Sequence, residues 1–599
     1  MTDYRAPLGE IDFLLKEVFA SEQHYDGLAG CEPLPPDLLD AIVRGAAEFA
    51  EQVVAPLLRV GDEQGCRFEN GTVCTPDGFA EAFRLYGEGG WQGLTAPAAE
   101  GGQGLPPSLG LMVSELMGSG NWAWSMYTGL ALAPVNCLLN AGTPEQKATY
   151  LPKLLSGEWG GTMCLTEAHC GSDVGLIRSK AEPQPDGSYR LTGTKIFVSG
   201  GEQDITDNIV HSVLGRVDGA PAGTKGLSLF IVPKFAVAPD GSLGERNGVE
   251  CGSIEHKMGL KGSATCVIHF DGATATRIGE ENRGLEVMFE MMNTARLGTA
   301  LQGVSLGELA FQLALAYARD REQMRSLTGP KNPDGEADPI LVHPDVRRML
   351  LTQKAFVEGS RALIYWLGQL LDQSEFGAEP ARSEASRTLE LLTPIAKAFC
   401  TETCQEVTNQ GLQVFGGHGY IADNGIEQVV RDARISTVYE GTTGIQALDL
   451  IGRKVLANGG VLVQQVAGAI REWCAEPRVE QAGLGELASA TIALADEWET
   501  LADALRERAI ANLEELGACS VDFLMYSGYA VYAYLWLRMA LAAHEGREQG
   551  RVSDEFCEAK LATARFYFGR LAPRAAAHRD AALAGADSLM SVSSNGFGR

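Results

Sequence analysis

No two cysteines in this 599-residue sequence are spaced as CxxC, and its thirteen cysteines and nine histidines nowhere gather at zinc-ligand spacing. That excludes a zinc framework, and an odd number of cysteines scattered along a long chain points to reduced thiols in a cytoplasm rather than a disulfide scaffold. Cys400 and Cys404 lie one helical turn apart, but two soft ligands without a third read as core filler, and no metal is expected. Basic residues are the scarcer charge, 49 against 77 acidic, and the net charge of −28 opposes nucleic acid and anionic membrane surfaces as partners. Only local basic sites for an anionic ligand remain. The longest uncharged apolar stretch, Phe523 to Leu537, falls short of the ~20 residues of a membrane span and reads as a buried core helix. The N-terminus carries acidic residues early and lacks a secretory apolar core. Neither a strand-bound GxGxxG nor a GxxxxGK[ST] loop occurs, so a nucleotide cofactor would have to be held without a Rossmann or P-loop site.

What is present is ordinary globular material, 45% hydrophobic and 21% charged, in a chain long enough for three or four packed units. After an N-terminal extension (1–36), apolar residues at Leu38, Ile42, Val43, Ala46, Phe49, Val53 and Val54 follow helical spacing, with Asp37 as a candidate cap. Residues 37–158 are expected to form a helical domain. Short runs such as Lys195–Ser199, Gly226–Val232 and Thr265–Phe270, separated by Asp-Gly and Gly-Gly breaks, mark 159–280 as a β domain. Long helical patterns resume in 281–455, notably Glu286–Arg319, His343–Leu371 and Ser383–Asn409, interrupted by a Pro/Gly/Asp-rich loop around 327–339. An Ala/Leu/Glu-rich helical block fills 456–599. The fold class is α+β multidomain: a helical domain, a β-barrel-like domain, a helical bundle and an additional C-terminal helical domain.

Four segments carry candidate chemistry. Met163-Cys-Leu-Thr-Glu-Ala-His-Cys-Gly-Ser-Asp173 opens the β domain with small, hydroxylated and acidic residues, and alone reads as a loop. Thr194-Lys-Ile-Phe-Val-Ser-Gly-Gly201 sets an aromatic and a hydroxyl two residues apart, on one face of a regular strand, where they could press on a flat ring. Gln413-Val-Phe-Gly-Gly-His-Gly-Tyr420 allows either a tight turn or a close ligand approach. In Arg431 to Gln446 one carboxylate, Glu440, stands among Tyr, Gly and Thr just before a helical pattern, where a helix N-terminal carboxylate is the plain alternative to a catalyst.

Taken together, the order and spacing of these segments resemble the acyl-CoA dehydrogenase family. The resemblance includes Trp91-Gln-Gly-Leu-Thr-Ala-Pro97 with Gly101-Gly-Gln-Gly104, Gly142-Thr-Pro-Glu-Gln-Lys147, Tyr150-Leu-Pro152, Ser156-Gly-Glu158, Lys257-Met-Gly259, Arg296, Tyr317-Ala-Arg-Asp-Arg321 and Tyr439-Glu-Gly-Thr442. It covers about residues 40–455. The C-terminal block resembles the subgroup of 3-methylmercaptopropionyl-CoA dehydrogenases and related bacterial fatty acyl-CoA dehydrogenases.

The resemblance implies FAD as cofactor, lying in the family between the β domain and the second helical bundle, and a homodimer. It implies flavin contacts from Leu165, Thr166, Ser172, Phe197, Ser199 and Thr442. Arg321, with Gln323 and Met324 beside it, and Gln413, Gly416 and Gly417 would serve the pyrophosphate and ADP half of a neighbouring subunit's flavin. Ser172, Asn293, Arg296, Tyr439 and Gly441 would meet substrate. Several positions depart from the family pattern: Phe197 replaces tryptophan, Met324 a common phenylalanine, Gly444 a polar flavin contact, and Asn293 the acidic member of an Asp/Arg pair.

The implied reaction is oxidation of a saturated acyl-CoA to the trans-2-enoyl-CoA, a step of fatty acid β-oxidation, with Glu440 as base. An α-proton of a thioester is weakly acidic, so the base must act together with stabilisation of the developing enolate. An apolar cavity should raise the carboxyl's pKa and make activity rise with pH. Medium or long acyl chains are the first expectation, 3-methylmercaptopropionyl-CoA the alternative, and electron-transfer flavoprotein the expected acceptor. An oxygen-reactive acyl-CoA oxidase and a non-catalytic CoA- or flavin-binding scaffold are the competing readings.

Overall fold

The computed structural model describes residues 4–238 and 240–598, with the side chains of residues 290, 291 and 293 outside the described set. Asn293 therefore lies outside the described side chains. The chain divides into two compact units, Gly45–Gly298 and Met1–Arg44 with Thr299–Arg599.

In the unit 45–298, helices α1 (Pro107–Ala141) and α2 (Pro144–Leu155) precede the sheet. Thr143 caps α2 in a reciprocal box with Gln146, which satisfies two otherwise orphan N–H groups. The strands are β1 (Trp159–Cys164), β2 (Lys180–Pro183), β3 (Tyr189–Ser199), β4 (Asn208–Val217), β5 (Leu227–Pro233), β6 (Val249–Ile254) and β7 (Thr265–Ile278). Pairing runs from β7 to β3, β2, β4 and β5, and β5 returns to β7, so the ladder closes into a barrel. β1 extends it in parallel along β4, and β6 lies antiparallel on β7. One face packs Leu138, Leu151 and Leu154 against Trp159, Val210, Leu214 and Leu229. The other set, Leu191, Val198, Val213, Phe230, Cys266 and Phe270, forms a second core. β4 is buried at nearly every position, because both of its faces are covered.

The second unit is helical. Its helices include α3 (Gly284–Asp320) from Thr299 onward, α4 (Pro344–Phe376), α5 (Ala381–Phe415), α6 (Ile426–Arg434), α7 (Thr443–Leu448), α8 (Glu514–Glu548) and α9 (Asp554–Phe566). The apolar run Phe523–Leu537 sits inside α8, nearly every residue buried. Among the described residues no helix is long and apolar enough to cross a membrane. The Trp536 indole N–H donates to Ala355 O at 3.1 Å, so the C-terminal block packs directly on α4. Lys560 of α9 closes the arrangement: its buried ammonium reaches Glu358 at 2.7 Å and Glu10 of the N-terminal helix Leu8–Phe13.

One detail differs from the sequence expectation. Asp37 does not cap its helix, which begins at Pro36, and acts instead as an acidic residue of the first turn. The loop expected after α3 is present and tightly tied: the carboxylate of buried Asp338 accepts from the backbone N–H of Ser326, Lys331 and Asn332 at 2.7–2.8 Å. Those N–H groups, with Arg325, hold its carboxyl at about 2. Cys400 and Cys404 are buried thiols on α5, pushed by burial to about 11 and about 12.

Candidate functional site

Outside glycine, seven described residues have positive φ: Ala20, Asn70, Phe197, Leu260, Asn282, Met324 and Glu440. Three of them, Phe197, Met324 and Glu440, are positions that the sequence marked for function. A side chain in the left-handed region costs about 1–2 kcal/mol and persists only where its surroundings impose it, commonly at functional sites.

In the β-domain unit the strained residue is Phe197, at φ +57° and 59% exposed. The register between β3 and β7 slips by one residue between Lys195 and Val198, a bulge that breaks the strict alternation. The bulge falls at Phe197 itself, so local backbone strain as well as the period of two sets where its ring points, while Val198 between Phe197 and Ser199 stays buried. Lys195, fully buried, donates from Nζ to Leu165 O and to Glu167 Oε1, both at 2.9 Å. Ile196 N–H donates to Thr166 O at 2.9 Å. The carbonyls of Leu165 and Thr166 are thus turned inward and held.

Glu167 also accepts from the N–H groups of Arg178 and Ser179 and from Ser179 Oγ, closing the loop that carries exposed Ser172. Burial would push its carboxyl up, but Lys195 and these donors outweigh burial and hold it at about 2. Glu167, His169 and Cys170 bring potential ligand atoms within 4.8 Å of one another, yet the Glu167 carboxylate is already taken up by Lys195. Arg296, from the first half of α3, is buried.

In the helical unit, Glu440 sits at φ +54° in the turn after α6, followed by Gly441 at φ +85°. A Cβ at residue 441 would also stand 2.7 Å from Gln446 Nε2, so any side chain there would be strained and would press on the donor that holds Glu440 O. Thr442 caps α7, its hydroxyl oxygen accepting from Ile445 N–H at 3.2 Å while its own hydrogen remains to donate. Tyr439 donates to Gln302 Oε1 at 2.5 Å, and Gln302 in turn donates to Asp432 O. Buried Lys397 of α5 donates to Ser436 O at 2.8 Å and Gly441 O at 2.7 Å, and Gln446 Nε2 donates to Glu440 O at 3.0 Å.

Farther along this unit, Arg321, Gln323 and Met324 are exposed just past α3, Met324 at φ +61° and 77% accessible. Tyr317 stacks on Phe415 at 4.2 Å and its hydroxyl bonds His418 Nδ1 at 3.0 Å, which joins the Arg321 segment to the glycine loop. Gly416 adopts φ +60°, and neither Gly416 nor Gly417 has anything within 4 Å of an added Cβ, so the backbone of this loop is open to a ligand.

Family models match the chain consecutively: the acyl-CoA dehydrogenase N-terminal domain over residues 37–158, the middle domain over 162–273 and the C-terminal domain over 282–456. A further model, "Acetyl-CoA dehydrogenase C-terminal like", matches 466–593. The 3-methylmercaptopropionyl-CoA dehydrogenase of Ruegeria pomeroyi is 40% identical over 98% of this chain and 100% of its own length. This chain belongs to the acyl-CoA dehydrogenase family. As a member of that family it is an oxidoreductase with the expected fold. Another relative, the broad-specificity linear acyl-CoA dehydrogenase FadE5 of Mycobacterium tuberculosis, is 34% identical over 96% of each chain. Among solved structures, the FAD complex of an acyl-CoA dehydrogenase from Bacillus anthracis superposes with a TM-score of 0.74 at 21% identity, covering 96% of this chain and 91% of that one.

Lys195, Glu167, Lys397 and Gln446 were not singled out from sequence. For the two lysines a signal existed: each lies among apolar neighbours, Lys195 before Ile-Phe-Val and Lys397 within Pro-Ile-Ala-Lys-Ala-Phe, where a charge stays buried only if the backbone needs it.

Proposed function

We propose that this acyl-CoA dehydrogenase oxidises the Cα–Cβ bond of a saturated acyl-CoA to the trans-2-enoyl thioester, with Glu440 removing the α-proton. The observation that carries the reading is the strained conformation of Glu440, its carbonyl held by Gln446 and the next carbonyl by Lys397, in a turn where glycine follows at positive φ. The residues present fit FAD. Phe197 exposes a ring at an imposed conformation, the inward-held carbonyls of Leu165 and Thr166 leave the Thr166 hydroxyl to meet a ligand, and the open backbone at Gly416 and Gly417 suits close approach. Leu165, Thr166, Ser172, Phe197, Ser199 and Thr442 would hold its ring end. When bound, FAD supplies the acceptor for the β-hydride.

The chain's own work is positional. Glu440 takes the proton, Tyr439 and Gly441 shape the thioester's place, and Arg296, with Asn293, serves the substrate side. Arg321, Gln323, Met324, Gln413, Gly416 and Gly417 would serve the flavin of a second copy. Met324, Leu327, Tyr420 and Ile421 are exposed apolar side chains on the two segments that carry these proposed flavin contacts, which supports a homodimer. Electron-transfer flavoprotein is the proposed acceptor, by family likeness.

For the acyl group, full-length similarity to the Ruegeria enzyme supports 3-methylmercaptopropionyl-CoA beside medium or long fatty chains. Its thioether replaces one methylene of a pentanoyl chain with little change in size. The test is anaerobic mixing of wild-type and Glu440→Gln protein with butyryl-, pentanoyl-, octanoyl-, palmitoyl- and 3-methylmercaptopropionyl-CoA, following flavin absorbance. Bleaching by wild type alone is expected, with pentanoyl- and methylmercaptopropionyl-CoA alike if the pocket reads size. Equal bleaching by the variant would sink the assignment of the base, and a protein that purifies without flavin would sink the cofactor.

A further inference from the structure

Glu440 and Gly441 are consecutive residues in the left-handed region, and each of their carbonyls is taken by a side chain rooted in a helix. Gln446 on α7 holds Glu440 O at 3.0 Å, and Lys397 on α5 holds Gly441 O at 2.7 Å while also holding Ser436 O at 2.8 Å on the other side of the turn. Both side chains are fully buried. In a trans peptide the carbonyl fixes the whole plane, so these bonds fix both peptide planes that follow the Glu440 Cα. With the following plane fixed, rotation about the Glu440 Cα–C bond is the one torsion left between the held carbonyl and the direction of its Cα–Cβ bond, and the strained φ of +54° limits it.

We propose that Lys397 and Gln446 form a carbonyl clamp that sets the aim of the Glu440 carboxylate, Lys397 being the principal positioning residue for proton abstraction. The proposal rests on Glu440 being the base. A misplacement of about 1 Å in a reacting group costs on the order of 10²-fold in rate, and releasing either carbonyl lets φ and ψ of a strained residue relax toward the ordinary regions. Lys397 has a further effect that Gln446 lacks. It ties Ser436 and Gly441 to one ammonium, so the two limbs of the turn cannot separate. The clamp is unequal in its fit: Gln446 Oε1 is buried without a partner, so Gln446→Met removes one donor together with an orphan acceptor. That variant is the milder structural perturbation.

The experiment uses the full-length flavoprotein with Lys397→Met, Gln446→Met and Glu440→Gln, mixed anaerobically with whichever acyl-CoA of the panel reduces wild type fastest, and with its α- and β-deuterated forms. Lys397→Met is expected to keep bound FAD and to change the acyl-CoA dissociation constant less than about 3-fold while flavin reduction slows on the order of 10²-fold. The α-deuterium isotope effect should rise relative to the β effect, because a mis-aimed base makes proton removal the slower part of the step. Gln446→Met should show the same change of isotope effects with a smaller loss of rate, and it decides the matter if Lys397→Met does not fold. Reduction within 3-fold of wild type, or a rate loss with unchanged isotope effects, overturns the clamp. If Glu440→Gln itself still reduces flavin, the base assignment fails instead, so the two failures are distinguishable.

Discussion

A buried lysine lies close in the chain or in space to each of two strained residues, one per unit, and the two differ in what they tie together. Lys195 in β3 holds the Leu165 carbonyl next to Phe197 and has a carboxylate partner, Glu167, at 2.9 Å. Lys397 in α5 holds the Ser436 carbonyl and the Gly441 carbonyl, the latter next to Glu440. The first arrangement pins the loop of Leu165 and Glu167 to the strand that carries an exposed aromatic ring. The second ties together two carbonyls on either side of the turn that carries the proposed base. A ring needs a fixed seat and a base a fixed aim, and a buried ammonium serves either by holding backbone carbonyls in place.

The comparison is broken most severely at the base. Glu440→Gln keeps size and hydrogen-bonding capacity but removes the group that accepts the proton, and flavin reduction should fall by about 10⁴-fold, the upper end of what a positioned base contributes. Its unfolding midpoint should stay near that of wild type, since both turn carbonyls keep their donors. In the β domain the opposite split is expected. Lys195→Met strands the buried Glu167 carboxylate and should cost about 3–5 kcal/mol of stability, the range for breaking a buried pair from one side. Urea unfolding of the purified protein measures it. The double variant Lys195→Met with Glu167→Leu should recover much of that loss. If the double variant unfolds as readily as the single one, the pair is not the unit that supports the Leu165 loop.

Much of the architecture was legible in the sequence, and the reasons are specific. The long helices announced themselves by period: Ser383–Asn409 anticipates α5 (Ala381–Phe415), and His343–Leu371 anticipates α4 (Pro344–Phe376). β4 gave little signal, since a strand buried on both faces has no alternation to read, and Asn208 to Val217 includes a histidine and an arginine. Phe197, Met324 and Glu440 were marked by motif, but that all three share positive φ is a property of tertiary surroundings, invisible to spacing. The clamps were hidden for another reason. Lys195 lies 30 residues from Leu165 and Lys397 lies 44 from Gly441, and no local pattern ties a lysine to a carbonyl that distant.

A titration sharpens the contrast from inside the barrel. His211 in β4 is buried with Nδ1 against Thr162 Oγ1 at 2.7 Å, and burial, with Lys234 and Arg246 nearby, holds its pKa at about 3. The folded state therefore keeps it neutral, whereas the unfolded chain protonates it below about 6.5. Stability should fall as pH drops from 6.5 toward 3, by roughly 2 kcal/mol at pH 5 from this group alone. The Glu167–Lys195 pair works in a different window. A depressed carboxyl contributes stability above its unfolded value near 4.5 and loses it as pH falls toward 2. Chemical unfolding at pH 7 and pH 5 of wild type and His211→Gln separates them: the variant should lose less between the two pH values. An equal loss would place the acid sensitivity elsewhere.

The smallest effect asks whether strain at the ring seat is imposed or incidental. Phe197→Gly removes the penalty of a left-handed side chain, worth about 1 kcal/mol, and removes little core contact, because the ring is largely exposed. The flavin-free protein should then be unchanged or slightly more stable, by at most about 1 kcal/mol, while flavin binding weakens from loss of the ring. Phe197→Trp should keep both the strain and the affinity. Opposite signs for stability and binding in the glycine variant are the mark of a conformation maintained for a ligand rather than for the fold. Were Phe197→Gly to destabilise the flavin-free barrel, the bulge would be holding the ring for packing, and the parallel between Phe197 and Glu440 would fail on the β-domain side while leaving the base loop untouched.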